Sequence, residues 1–426
     1  MTELNRFSAT EIVDAITSGD CSAEDVTRAC LARIDKREFE VGAFEYLDPA
    51  YAIEQAKVLD DGPVRGPLHG VPVAIKDIMD TFDMPTGWGF DPYGDRTTEH
   101  DASAVALCRQ AGAVILGKTV TSEFAAFHPR KTRNPHNIDH TPGVSSMGAA
   151  AGAADFMFPV GFGTQTGGSI IRPAACCGVI GYKPTFDDLP LDGVMVLGQM
   201  LDTLGFLTRD LEDCALMRAA LLGDSTDIAS RDTNSPPRVA LIRTRYWDQA
   251  EPIVHAVMES TVETLTEEGV RIEEPDMPEG FDELGAAHGT IMPVGSAQAR
   301  AYEYQQYRDE MSDVFREHVE EGQATDYADF ERAVELSRKC RAALDPLFDR
   351  YDVFLTPSAP GEALAGTFPT GEAMFNRFWT LLHVPLVHLP VSMGPQGLPV
   401  GVQLVGRHGA DRNLLSDAQW ILERLN

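Results

Sequence analysis

Three short stretches of the chain carry side chains suited to covalent chemistry on a carbonyl group. The first is Thr164-Gln165-Thr166-Gly167-Gly168-Ser169-Ile170-Ile171-Arg172-Pro173. Two glycines directly before a serine permit a tight turn that presents the hydroxyl and aims neighbouring N–H groups at one point, which is how an oxyanion hole is made. The second, Pro142-Gly143-Val144-Ser145-Ser146-Met147-Gly148, is another loop of small residues with a paired serine. The third is Gly70-Val71-Pro72-Val73-Ala74-Ile75-Lys76-Asp77, an apolar run that ends on a lysine expensive to bury. Singly, each has an ordinary reading. Gly-Gly-Ser turns occur in many loops, and a strand-end lysine commonly snorkels to water.

Together and in this order, Lys76, Ser145 and Ser169, with Ala174-Ala175-Cys176-Cys177-Gly178-Val179-Ile180-Gly181-Tyr182-Lys183-Pro184-Thr185 following, closely resemble the amidase signature family of Ser-Ser-Lys hydrolases. The resemblance extends from Ser8 to the segment Gly397-Leu398-Pro399-Val400-Gly401-Val402-Gln403-Leu404-Val405-Gly406, which is similar to that family's C-terminal core strand. It implies an α/β fold, a single large mixed β-sheet flanked by helices on both faces, and a two-step acyl transfer that needs no metal or cofactor. Carried over by the same correspondence, Ser169 is the nucleophile, Ser145 the bridging serine on a cis peptide and Lys76 the terminal base. Ser146 is a supporting serine, and the N–H groups of Thr166, Gly167, Gly168 and Ser169 form the oxyanion hole.

The chemistry is coherent on physical grounds. A lysine can serve as a base only when neutral, so its pKa must fall from about 10.4 by roughly three units, about 4 kcal/mol, which burial without a carboxylate partner can supply. Ser145 then relays the proton from Ser169 to Lys76 and returns it to the leaving amine. The product would be an acid plus ammonia or an amine from a small-molecule amide.

The chain also departs from the family pattern. The serine loop commonly reads Gly-Gly-Ser-Ser-Gly-Gly-Ser, whereas here Val144, Met147 and Ala149 replace two glycines and a serine. Bulk at these positions is expected to narrow the pocket or weaken catalysis. The common Asp four residues before the nucleophile is Gln165, and the Arg usually two residues after it is Arg172, three after it; both are read as supporting residues in a variant branch. Met79, Phe124, Phe127, Met147, Phe375 and Trp379 are candidates to line an acyl pocket, with core packing the competing reading.

Two other functions fit the motifs. One is the glutaminase-type subunit of a tRNA-dependent amidotransferase, although 426 residues is short for it and the nucleophile segment departs from that subunit's Ser-Asp-Thr-Gly-Gly-Ser-Ile-Arg-Gln-Pro form. The other is a catalytically impaired binding protein, motivated by Val144 and Met147. No Gly-x-Ser-x-Gly elbow points to a Ser-His-Asp hydrolase. His136 and His140 are flanked by Pro135 and Pro142 without an evident third ligand, so no metal site is expected. Cys176 and Cys177 read as small core residues.

The elements that position these loops follow from patterning. Ser8 and Ser22 open two amphipathic helices over 8–19 and 22–37. A strand ending at Lys76, a helix near 101–112 and a strand over 113–116 alternate, as in an α/β sheet. From Thr141 to Lys183 the charged side chains are Asp155, Arg172 and Lys183, and from Phe378 to Gly406 there is no Asp, Glu, Lys or Arg; both stretches are expected at the sheet centre. Residues 245–350 are acidic and helical, as over Ala299–Glu321 and Tyr327–Leu344, and read as a layer, with Val353-Phe354-Leu355 returning to the sheet. One domain over 1–426 is predicted: N-terminal helices about 8–60, a core about 64–225, the helical layer about 245–350 and a C-terminal return about 351–426.

Composition bounds the function. The chain has 35 Lys and Arg against 65 Asp and Glu, a net charge of −30. Such a body repels phosphate backbones, which argues against nucleic acid as a partner. With 7 cysteines and no Cys-x-x-Cys spacing, reduced thiols are expected rather than a disulfide framework. No apolar run is long enough to span a membrane and the N-terminal residues lack signal-peptide character, so a cytoplasmic protein is predicted, with a homodimer as the default assembly.

Overall fold

A computed structural model describes residues 3–225, 235–368 and 371–425. Its centre is one mixed sheet of 11 strands. In chain order these are β1 (Phe44–Leu47), β2 (Pro72–Lys76), β3 (Val114–Thr119), β4 (Val160–Gln165), β5 (Ile180–Lys183), β6 (Thr203–Thr208), β7 (Val239–Leu241), β8 (Ile272–Glu273), β9 (Val353–Pro357), β10 (Leu386–Met393) and β11 (Pro399–Val405). Their spatial order is β1-β3-β2-β4-β6-β5-β10-β11-β9-β7-β8. The two charge-poor stretches supply β4, β5, β10 and β11, and β5 pairs antiparallel with β10 at the middle of the sheet. Strands buried on both faces cannot carry charge cheaply, which is why these segments lack it.

The N-terminal helices run over Ala9–Ser18 and Ala23–Val41, each opened by a capping box, Ser8 with Glu11 and Ser22 with Asp25. The acidic stretch does not form one helix over Ala299–Glu321. Leu284–Ala299 stops at Arg300, a short helix spans Ala301–Tyr307, and a new one begins at Asp313 where the Ser312 side chain caps Phe315 N–H. Tyr327–Ala343 is helical as predicted. β7 and β8, too short to leave a pattern, extend the sheet beyond β9 through parallel pairs. Among the described residues no helix is long and apolar enough to cross a membrane.

What positions the site is the parallel pair β2 and β4. Val73 lies opposite Val160 and Ala74 opposite Gly161, so both strands deliver their carboxyl ends, Lys76 and Thr164-Gln165, to the same edge. That edge is where α/β sheets place ligands. The helix Met147–Ala154 packs on β4 and begins directly after the serine loop. Gly163 admits that loop: a Cβ there would stand 2.9 Å from Ser146 Oγ.

Candidate active site

Lys76 is fully buried. Its Nζ lies 2.8 Å from Ser145 Oγ, 3.1 Å from Ser146 Oγ and 2.8 Å from Thr164 Oγ1. Burial drives its pKa down to about 7, opposed by the carboxylate of Asp202. Ser146 Oγ points its proton at Thr164 O, 3.3 Å away, and accepts from Thr164 N–H at 3.2 Å. Ser146 therefore offers the lysine only an acceptor. Ser145 has no such commitment and is the hydroxyl placed to donate to a neutral Lys76. The Val144–Ser145 peptide is cis.

Ser169 is half-buried and lines a cavity of about 270 Å³ together with Thr166, Gly167 and Gly168. Ser146 N–H donates to Ser169 O at 3.4 Å, linking the serine loop to the Gly-Gly-Ser turn. The N–H groups of Gly167, Gly168 and Ser169 make no hydrogen bond to a protein acceptor among the described residues, so they are free for an incoming oxygen. A Cβ on Gly168 would stand 2.7 Å from Asn376 Oδ1 and 2.8 Å from Ala373 Cβ, so a larger residue would have to displace that segment.

Gln165 closes the turn from below. Its Oε1 accepts from Ile170 N–H at 2.9 Å and Ile171 N–H at 3.0 Å, capping the helix Ile171–Cys177, and its Nε2 donates to Thr380 Oγ1 at 3.0 Å. Thr380 Oγ1 lies 2.8 Å from Gly167 O, so the far side of the turn is held from the C-terminal segment. An amide serves here because the site needs an acceptor toward the backbone and a donor toward Thr380, and a carboxylate is an acceptor only. Arg172 is buried under the serine loop, donating from Nη2 to Val144 O at 3.0 Å and from Nη1 to Gly371 O.

Several residues at the site carry no motif. Asp202, just before β6, accepts from Thr166 Oγ1 at 2.6 Å and from the N–H groups of Leu197 and Gly198 at 2.7 and 3.0 Å. His288, in the helix Leu284–Ala299, sits 2.9 Å from Thr166 O, and burial lowers its pKa to about 4. The ring is therefore neutral at pH 7, with its proton on Nε2 facing that carbonyl. Arg377 and Glu372, paired at 2.9 Å, line the same cavity.

Of the aromatic and methionine candidates, Phe127 lines the cavity. The structure places the others elsewhere: Met79, Phe124, Met147, Phe375 and Trp379 are core residues with 1% exposure or less. Phe124 packs at a tilt between Phe90 and Phe315, and Trp379 packs with Phe281, Phe354 and Phe378. Large apolar side chains near a site are drawn first into packing, where their burial is worth more. Val144 and Met147 also turn away from the cavity and form a small cluster with Val120, and Ala149 packs against Gly161; the expected narrowing of the pocket is absent from the residues that line it. Burial pushes the Cys176 thiol up to about 11, and that of Cys177 well above its usual value, which leaves neither as a thiolate at pH 7.

A family model for amidases matches residues 25–415. The chain belongs to the amidase family. A glutamyl-tRNA(Gln) amidotransferase subunit from Moorella thermoacetica is 30% identical over 469 residues, covering 98% of this chain and 96% of that protein. Among solved structures, a crystal structure of an amidase superposes with a TM-score of 0.90 at 27% identity, over 99% of this chain and 100% of the other. The corresponding glutamyl-tRNA(Gln) amidotransferase subunit from Thermotoga maritima superposes with a TM-score of 0.82 at 25% identity, over 99% and 95%.

Proposed function

We propose that this protein is an amide hydrolase that cleaves the C–N bond of a small carboxamide through an acyl-enzyme on Ser169. The observation that carries the reading is the buried Lys76 amine, with a pKa of about 7, 2.8 Å from Ser145 Oγ. In the first half-reaction Ser169 Oγ bonds to the carbonyl carbon as its proton passes to Ser145, whose own proton moves to Lys76 Nζ. The carbonyl oxygen takes up negative charge against the N–H groups of Thr166, Gly167, Gly168 and Ser169. When the C–N bond breaks, the proton returns through Ser145 to the departing nitrogen, giving ammonia or an amine. Water then attacks the acyl carbon with the same relay as its base, releasing the acid and restoring Ser169.

The test is intact-mass spectrometry after exposure to a serine-reactive fluorophosphonate, on wild type, Ser169→Ala and Lys76→Ala. A single adduct on wild type that both variants lose supports the reading. No adduct on folded wild type sinks it, and leaves either an impaired binding protein or a chain that needs partners.

A second reading is favoured by the 30% identity over nearly the whole chain to a protein named as an amidotransferase subunit. In it Ser169 hydrolyses glutamine and the ammonia passes to a partner protein. A requirement for partner chains and ATP would favour it; fast hydrolysis of simple amides by the isolated chain would not. Val144 and Met147 pack against Val120, which speaks against the crowding on which the reading of an impaired binding protein rests.

A further inference from the structure

The helix Leu284–Ala299 stands between two cavities that share no lining residue. His288, Gly289, Met292 and Pro293 face the one at Ser169, while Ile291, Gly295 and Gln298, one helical stripe over, face a second of about 570 Å³. That second cavity is closed on its other side by the loop Val196–Leu201 and edged by Phe330. Arg300, at the end of the helix, lines it and is 7% exposed.

The guanidinium of Arg300 is unusually bare. Its side chain makes no hydrogen bond among the described residues: Nε and Nη1 are buried without a hydrogen-bond partner, and the one carboxylate within 4 Å, Glu303, forms only a long ion pair, 3.7 Å from Nη1. Glu303 is also an acceptor for Tyr93 Oη at 3.3 Å. One face of the group is covered by the Trp88 ring, 5.0 Å from Cζ to the ring centroid. Nη2 is left as the nitrogen that reaches the cavity. Arginine cannot shed its proton to escape this position, and a buried charge with unfilled donors is costly unless an acceptor is supplied.

We propose that this cavity is a second binding site, separate from Ser169, for a small carboxylate with a compact apolar body. The carboxylate accepts from Arg300 Nη2, and the apolar part rests on Ile291, Leu201 and Phe330. Gln199 and Gln298 stand at the mouth with amides able to meet the remaining lone pairs. One reachable donor and an apolar floor suit a monoanion and not a phosphate, which needs several donors. The site does not depend on the amidase reading, because none of its residues lines the cavity at Ser169.

The experiment is isothermal titration of the full chain with benzoate at constant ionic strength, alongside inorganic phosphate. Wild type is expected to bind benzoate in preference to phosphate. Arg300→Gln should weaken benzoate binding roughly tenfold or more, with fluorophosphonate labelling of Ser169 unchanged. Gln298 is exposed, so Gln298→Glu preserves folding while setting a negative charge at the mouth, and should weaken binding several-fold. No binding by wild type, tighter binding of phosphate, or benzoate affinity unchanged in either variant overturns the proposal.

Discussion

At the scale of single residues, burial gives Lys76 the neutral amine that the proposed mechanism needs as its base. The free amine is the active form, so labelling of Ser169 should rise about tenfold per pH unit below pH 7 and level off above it, since Lys76 titrates at about 7. A rate independent of pH between 5 and 9 would remove Lys76 from the mechanism. Stability is linked to the same proton. Unfolded, the amine titrates near 10.5, and folded at about 7. Between those values the unfolded chain holds more protons, so the contribution of Lys76 to stability becomes more favourable as pH rises through that window. At neutral pH its burial is destabilising by something on the order of 4 kcal/mol. Lys76→Met should therefore abolish labelling and yet raise the melting midpoint at pH 7; a lower midpoint would mean that Asp202 and the three hydroxyls hold the amine charged. Ser145→Ala removes the relay and should slow acylation by roughly two to four orders of magnitude with little change in melting.

At the scale of elements, the Gly-Gly-Ser turn is set by what holds it from outside. Thr380 takes the Gln165 amide on one side and lies against Gly167 O on the other. Thr380→Val keeps the volume and loses both contacts, so Ser169 acylation should slow by roughly 10- to 100-fold through misplacement of the turn, with KM little changed. Thr380→Ser should restore it; a Ser variant as slow as Val would reduce Thr380 to a packing residue. The serine loop has a comparable constraint at Gly148, where a Cβ would stand 2.5 Å from Val120 N. Gly148→Ala should lower both the melting midpoint and labelling. These contacts also explain what was legible in the sequence. The Ser-Ser loop, the Gly-Gly-Ser turn and the strand to Lys76 are local patterns, and the capping boxes at Ser8 and Ser22 state their helices in four residues each. The breaks at Arg300 and over 308–312 were not legible, because Ala301–Tyr307 between them and the helices on either side all have helical composition. Asp202, His288 and Thr380 reach the turn from 36, 122 and 213 residues away along the chain, and no local spacing announces them. The aromatic candidates misled for a related reason: residue type reports affinity for the interior, and only the fold decides which interior faces the substrate.

At the scale of the whole molecule, the balance of 65 acidic against 35 basic residues sets how the fold responds to salt. Many of the arginines are already committed to carboxylates. Arg33 and Arg37 both hold Asp155, and Arg109 spans Asp83 and Asp101. These pairs are half-buried and little screened, while the pairs in the open, such as Arg332 with Asp329 and Lys339 with Glu335, are weakened by salt but worth little each. The unpaired acidic excess is spread over the surface, where repulsion acts over distances that salt does screen: the Debye length falls from about 30 Å at 0.01 M to about 8 Å at 0.15 M. Repulsion relieved therefore outweighs attraction lost. Sodium chloride raised from 10 to about 200 mM should lift the melting midpoint, with most of the gain in the first part of that range, whereas sucrose at matched osmolality should not reproduce that steep onset. A midpoint that falls with added salt would mean that the arginine–carboxylate pairs, and not the excess charge, dominate the electrostatics of this fold.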